Sequence, residues 1–428
     1  MRTGNSLAKR ACEALAILYL FAAAAPSCFG CSVLAHEALV DALWDIKVKP
    51  VLLARYPAAT AQDLQRAHGF AYGGAIIQDL GYYPHGSHLF SDLTHYVRTG
   101  DFVLALIRQA HDLNELAFAL GALSHYSSDI DVHRLATNPG EPMLYPKLMR
   151  KFGPAVTYEQ NPAAHLKTEF GFDVLEVAKG NFAPQSYHDF IGFYVAEPLL
   201  ARAFLQNYGI NVSDIFPDFH RSVESYRRAV SKTIPKATRV AWAQRAKQIR
   251  KSEPGITRRK FVYVMRRSSY EREWGKQYDR PSAGERVAAI FLKLLPPVGP
   301  LRTLRFKMPT PRVEKFFMQS FDLAASQYRA QLDAVTTATL QLSNYNYDLG
   351  EVAEPGKYRL ADRAYANWVN LLARKNYQTL TSPMKASLLA YYRNVDLPFD
   401  TKRKPAEWNR LLMQLREINP QPIPAGGP

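Results

Sequence analysis

A chain of 428 residues, 47% hydrophobic and 21% charged, can bury a substantial core and is neither a disordered nor a low-complexity polymer. Its formal net charge of +16 favours anionic partners, whether phospholipid headgroups, nucleic acid or acidic polymers, without choosing among them. The three cysteines, Cys12, Cys28 and Cys31, all fall at the very start of the sequence, which excludes a framework of internal disulfides.

In chain order, Arg2, Lys9 and Arg10 precede a short apolar run from Ala14 to Ala25, and the small residues Cys28 and Gly30 follow. This pattern predicts a secretory signal over 1–30, cut before Cys31, and so a secreted or periplasmic protein. Ser27-Cys28 and Gly30-Cys31 also resemble a lipoprotein site, but neither has Leu at the third position before the cysteine. No later uncharged run reaches about 18 residues, so no membrane span is expected. Helical periodicity dominates from there. Phe102–Leu123 reads as one long helix, with loops where Gly and Pro cluster at Gly81–Gly86 and Asn138–Pro146.

Past the first 180 residues the composition shifts. From Arg221 to Ser320 there are 25 Lys or Arg against seven Asp or Glu. Pro296, Pro297, Pro300, Pro309 and Pro311 mark a loop or linker, after which Phe317, Phe321, Ala324, Tyr328, Leu332 and Val335 step along one helical face. Ser382 and Pro383 read as the cap and first residue of another helix, and 419–428 as a frayed tail. The organisation expected is a leader (1–30), a helical domain (31–220) and a basic, mainly helical region (221–428), with its packing on the first domain left open. The fold class expected is all-α.

Nine of the eleven histidines lie between His36 and His165. Three arrangements within that span carry metal chemistry. His125, Asp129 and His133 are spaced by four, drift by only ~40° per step, and so share a helix face. His165 and Glu169 repeat the spacing. Neutral imidazole and carboxylate are ordinary zinc ligands, and a helical pair four apart can give two of them to one ion. If cleavage falls before Cys31, its free α-amine and carbonyl offer a chelate, with His36 little more than one turn away. His68, His111, His188 and His220 have no partners at ligand spacing and read as structural or exposed.

The set resembles the zinc-dependent phospholipase C family, including the catalytic domain of glycosylphosphatidylinositol-specific phospholipase D, and more distantly the single-strand-specific zinc nucleases. The motifs that carry the resemblance are His-x3-Asp-x3-His and the run His165–Leu175, HLKTEFGFDVL. It implies a multi-helix phospholipase C/zinc-nuclease-like fold and two to three zinc ions. Cys31, His36 and Asp129 would hold one; Asp79, a following histidine, His125 and Asp129 the second; His133, His165 and Glu169 the third. Gln78 stands before Asp79 where the family usually has Pro. The following histidine is His95 on its His-Tyr-Val-Arg context, with His88 as the alternative. Asp79 would also act as general base on the attacking water. The resemblance covers about Cys31–Gly180, and no Gly-x-Ser-x-Gly elbow offers a serine nucleophile.

The activity implied is phosphodiester hydrolysis at a phospholipid or membrane surface, with no obligate protein partner. A zinc nuclease acting on nucleic acid is the second reading, although the sequence sets no aromatic cluster beside the metal motifs on which bases would stack. A non-catalytic exported lipoprotein or binding protein is the third.

Overall fold

The computed structural model describes residues 33–179, 193–230, 246–251, 254–255 and 306–419. The leader, Cys31, His188, most of the basic stretch and the tail from 420 onward lie outside the described residues. Among the described residues the chain is all-α, with fifteen α-helices and one pair of two-residue strands.

Helix α1 (Val33–Leu43) and α2 (Lys49–Arg55) precede α3 (Ala61–Gly74). A reciprocal cap fixes the start of α3: the Thr60 hydroxyl accepts the Asp63 N–H, and the Asp63 carboxylate accepts the Thr60 N–H. A tight turn, Ile77–Tyr82, carries Asp79, and α4 (His88–Tyr96), α5 (Thr99–Gln109) and α6 (Leu113–Val132) follow. The single helix expected over Phe102–Leu123 is therefore two. Asp112 accepts the Glu115 N–H at 2.9 Å and Glu115 accepts the His111 N–H at 2.9 Å, so polar side chains satisfy the first donors of α6 and end α5.

The loop expected over Asn138–Pro146 is mostly helical: α7 (Asn138–Leu144) runs almost directly into α8 (Pro146–Phe152). Pro142 has no N–H for the carbonyl of Asn138, and that carbonyl accepts from the Val156 N–H at 2.9 Å instead. Three further helices, α9 (Pro162–Lys179), α10 (Glu197–Tyr208) and α11 (Phe219–Arg228), complete the first half.

In the second half Pro311 opens α12 (Pro311–Thr336) behind a Thr310 cap. The expected apolar face is present: Phe317, Ala324, Tyr328 and Leu332 are buried, while Phe321 and Val335 are partly so. An antiparallel hairpin of β1 (Tyr345–Asn346) and β2 (Glu351–Val352) leads to α13 (Arg359–Arg374), α14 (Ser382–Tyr391) and α15 (Pro405–Ile418). The cap of α14 is Thr381 rather than Ser382, because the Lys385 N–H already bonds the Thr381 carbonyl at 2.9 Å.

Helix α6 lies at the centre, with α3 and α12 packed against it most extensively and α1 and α5 also touching it. Tyr328 of α12 donates its hydroxyl to the Leu120 carbonyl at 3.0 Å, and Phe317 stacks on Phe172 of α9 with centroids 4.5 Å apart. The apolar core is continuous from α1 to α15. At the α3–α6 crossing the backbones nearly touch: a Cβ on Gly74 would lie 1.9 Å from the Phe118 carbonyl oxygen, and one on Gly121 would lie 2.0 Å from that of Ala71. Neither obstacle is a side chain that can swing away.

Gly121→Ala should therefore push α3 and α6 apart and destabilise the fold by about 3 kcal/mol or more. Urea denaturation of wild type and variant reads this directly, and equal midpoints would mean that the crossing is loose.

Candidate metal centre

The α3–α6 crossing sets the first ligand. Because Ala75 follows directly after α3, its carbonyl reaches His125 and accepts the Nδ1–H at 2.9 Å. That bond fixes the tautomer and leaves Nε2 bare, facing Asp129 Oδ2 at 3.0 Å. His95 on α4 is held the same way, with Nδ1–H to the Ser91 carbonyl at 2.8 Å and Nε2 at 3.3 Å from Asp79 Oδ1 and 3.5 Å from Asp129 Oδ2. The turn bearing Asp79 is tied down on both sides. Gln78 donates to the Ala122 carbonyl at 3.0 Å, and its own carbonyl accepts the Ser91 hydroxyl at 2.6 Å. Where the family usually places Pro, this chain thus has a side chain that pins the turn to α6.

His36 on α1 brings Nε2 to 3.4 Å from Asp129 Oδ1, its ring stacked 4.4 Å from that of His125. His133, at the end of α6, stands 3.8 Å from the same oxygen and 3.1 Å from Glu169 Oε1. Glu169 also faces His165 Nε2 at 3.0 Å, and His165 turns its Nδ1 to Glu141 Oε1 at 3.1 Å. Three groups of donors result: His36, His125 and Asp129; Asp79, His95 and His125; and His133, His165 and Glu169. All of these side chains are buried.

These separations suit a metal ion. Four ligands at ordinary zinc bond lengths stand roughly 3.4 Å from one another in a tetrahedron, and the pairs here span 3.0–3.8 Å. Two ring nitrogens, His95 Nε2 and His125 Nε2, face each other at 3.5 Å. Asp79 is fully buried, yet neither of its carboxylate oxygens has a hydrogen-bond donor in good geometry. Buried polar atoms are normally paired, and such an exception marks a place for a cation.

Electrostatics inside the cluster are strongly coupled. Burial alone would lower the pKa of His95, but Asp129 and Asp79 outweigh it and raise it to about 10. Burial and the neighbouring His125 lower His36 to about 4. Asp129 is held well below the usual carboxylate range: burial opposes this, and the charges of His125 and His133 overcome it. Burial raises Glu141 to about 7 against the pull of His165.

Of the two histidines proposed beside Asp79, His95 stands in the cluster. His88 is exposed at the start of α4, with its ring 5.7 Å from that of Tyr82. Cys31 lies outside the described residues. His68 is buried against Trp44 at 3.7 Å and bonded to Asp41, whereas His111 and His220 are exposed.

The sequence gave no sign of several neighbours. Glu141 sits in a stretch read as loop. Tyr82 and Tyr347 bring their rings within 5.9 and 5.2 Å of His95, and Tyr158 lies 5.3 Å from His165. The absence of an aromatic cluster beside the motifs is thus corrected: the rings come from distant segments, and only folding brings them there. Tyr82 and Tyr347 are buried, while Tyr158 is partly exposed.

Metal uptake must displace the proton that His95 holds between two carboxylates. Below about pH 10 its loss is uphill, so metal affinity should rise with pH, by up to about tenfold per unit for each proton displaced. Zinc titrations against a competing chelator at pH 6 and pH 8 check this, and a pH-independent affinity would contradict it. Because Asp129 faces two of the three groups, Asp129→Asn should lose more metal than His133→Ala by elemental analysis.

The model of the family described as zinc dependent phospholipase C matches residues 35–216, a span that contains every histidine and acid of the three groups. Neither the curated proteins nor the solved structures contain a match to the chain. The helical architecture, the buried His and Asp groups and the family match converge on one assignment: residues 35–216 are a domain of the zinc-dependent phospholipase C family.

Proposed function

We propose that this chain is an exported zinc-dependent phosphodiesterase that hydrolyses phospholipid-like substrates at a site of up to three zinc ions. The observation that supports it best is the coincidence of the family match with three buried donor groups set at ligand spacing. His36 and Asp129, with the N-terminal Cys31 after cleavage, would hold one ion. Asp79, His95, His125 and Asp129 would hold the second, and His133, His165 and Glu169 the third. Bound zinc would lower the pKa of water towards ~7 and offset the negative charge that a phosphodiester gains in its transition state.

The protein's own residues account for the rest. Asp129 offers one oxygen to His36 and His133 and the other to His95 and His125, so a single carboxylate spans the cluster. Carbonyls of Ser91 and Ala75 keep His95 and His125 in the tautomer whose Nε2 can bind a cation. Asp79 has two oxygens free of hydrogen bonds, enough to serve a metal with one and to take a proton from the attacking water with the other. Among the described residues no helix is long and apolar enough to cross a membrane. Reaching lipid then rests on the surface charge, since a net +16 concentrates the protein at anionic headgroups.

A zinc nuclease is the second reading. The observation in its favour is Tyr158, a partly exposed ring beside His165 on which a base can stack. One zinc-loaded preparation of the mature chain, given phospholipid vesicles and single-stranded DNA in parallel, separates the two. Chelator-sensitive lipid hydrolysis exceeding DNA cleavage is the expected result, with about two to three zinc ions per chain by elemental analysis. Asp79→Asn should keep most of the zinc yet lose about 100-fold or more in turnover. DNA cleavage without lipid hydrolysis would promote the nuclease, and silence on both with zinc fully bound would favour a non-catalytic protein.

A further inference from the structure

The hairpin formed by β1 and β2 lies more than a hundred residues beyond the matched span, yet it closes on the metal centre. Its turn is built locally. The Asn346 side chain accepts the N–H groups of Asp348 at 3.0 Å and Leu349 at 3.3 Å, and Gly350, at φ +64°, donates to the Asn346 carbonyl at 2.8 Å. A Cβ on Gly350 would lie 2.3 Å from the carbonyl of Ile130, the residue after Asp129, so glycine is what lets the turn lie on α6. Two bonds dock it there: the Tyr347 N–H to the His95 carbonyl at 3.0 Å, and the Asn138 amide to the Asp348 carbonyl at 2.8 Å.

This docking buries the carboxylate of Asp348. Its Oδ2 accepts the Tyr358 hydroxyl at 2.7 Å and the Tyr158 N–H at 2.9 Å. Its Oδ1 has no hydrogen-bond partner and faces His133 Nδ1, likewise without one, across 4.0 Å. His95, His125 and His165 each direct Nδ1 at an oxygen 2.8–3.1 Å away. For His133 that place is taken by Asp348. We propose that Asp348 is the positioning residue of His133, accepting its Nδ1–H so that Nε2 is presented to the group it forms with His165 and Glu169. The metal-binding unit would then extend beyond 35–216 and need the C-terminal hairpin to be complete. The inference rests on the zinc reading given above.

The alternative is that Asp348 only pins the turn, and zinc affinity tells the two apart. Asp348→Asn keeps the shape and an acceptor for Oδ2's partners but removes the charge behind His133. In the full mature chain, with zinc alone as probe and a chromophoric chelator as competitor, one ion should bind about 10–100-fold more weakly while the others are unchanged. Tyr358→Phe removes only the hydroxyl that holds Oδ2 and should weaken the same ion by less. A folded Asp348→Asn protein, by circular dichroism, with wild-type affinity for every ion would overturn the proposal even if its melting point fell. Should that variant not fold, Tyr358→Phe decides by the same measure, unchanged zinc affinity counting against the proposal. A wild-type chain that takes up no zinc would instead remove the functional reading beneath it.

Discussion

A carboxylate with 1% of its surface exposed cannot stay ionised in a protein interior without compensation, and Asp129 is such a group. The compensation comes from histidines on three helices: His36 on α1, His95 on α4, and His125 and His133 one turn before and after Asp129 itself. Each of those helices has to be where it is for Asp129 to be tolerated. The demand runs outward from there. Helix α4 is anchored through Ser91 and Thr94 to the Gln78 carbonyl, and α3 must approach α6 closely enough for Ala75 to orient His125. In this sense the central helix is organised by one buried charge and only secondarily by its apolar face.

The C-terminal half shares in that organisation. Helix α12 lies along α6 and covers its apolar side, with Phe317 on Phe172 and Tyr328 bonded to Leu120. The Tyr126 hydroxyl donates to the Ser343 carbonyl at 3.0 Å, just before the hairpin. A helix that carries ligands on one side thus receives most of its cover from a segment outside the matched family span. Core burial and site geometry are two faces of the same packing.

The sequence made legible what depends on a single helix. His125, Asp129 and His133 announce themselves by a spacing of four, as do His165 and Glu169, because helical geometry converts spacing into a shared face. The all-α class followed from the same periodicity. What stayed hidden depends on contacts between distant segments. Nothing in the order of residues says that Glu141 stands behind His165 or that Tyr347 lies against His95. Local errors have local causes too. Asp112 and Glu115 look like ordinary surface residues within an Ala- and Leu-rich run, yet they divide it by capping. Pro142 looks like a helix breaker, but the carbonyl it abandons is served by Val156.

Between α6 and α7 the backbone does not break. The segment His133–Thr137 is wound more widely, and the Asn138 N–H reaches back five residues to the His133 carbonyl, so 113–144 is one helical path with an expanded turn. A wide turn holds one residue more than a regular one, and its length is therefore a rotational setting. Removing a single residue there would restore ordinary winding and rotate everything downstream by about 100°. Asn138 would leave the hairpin it holds, and Glu141 would swing from behind His165. Substitutions on the surface of this segment leave that setting intact, whereas a one-residue deletion does not. Length at 133–137 is thus under tighter constraint than composition.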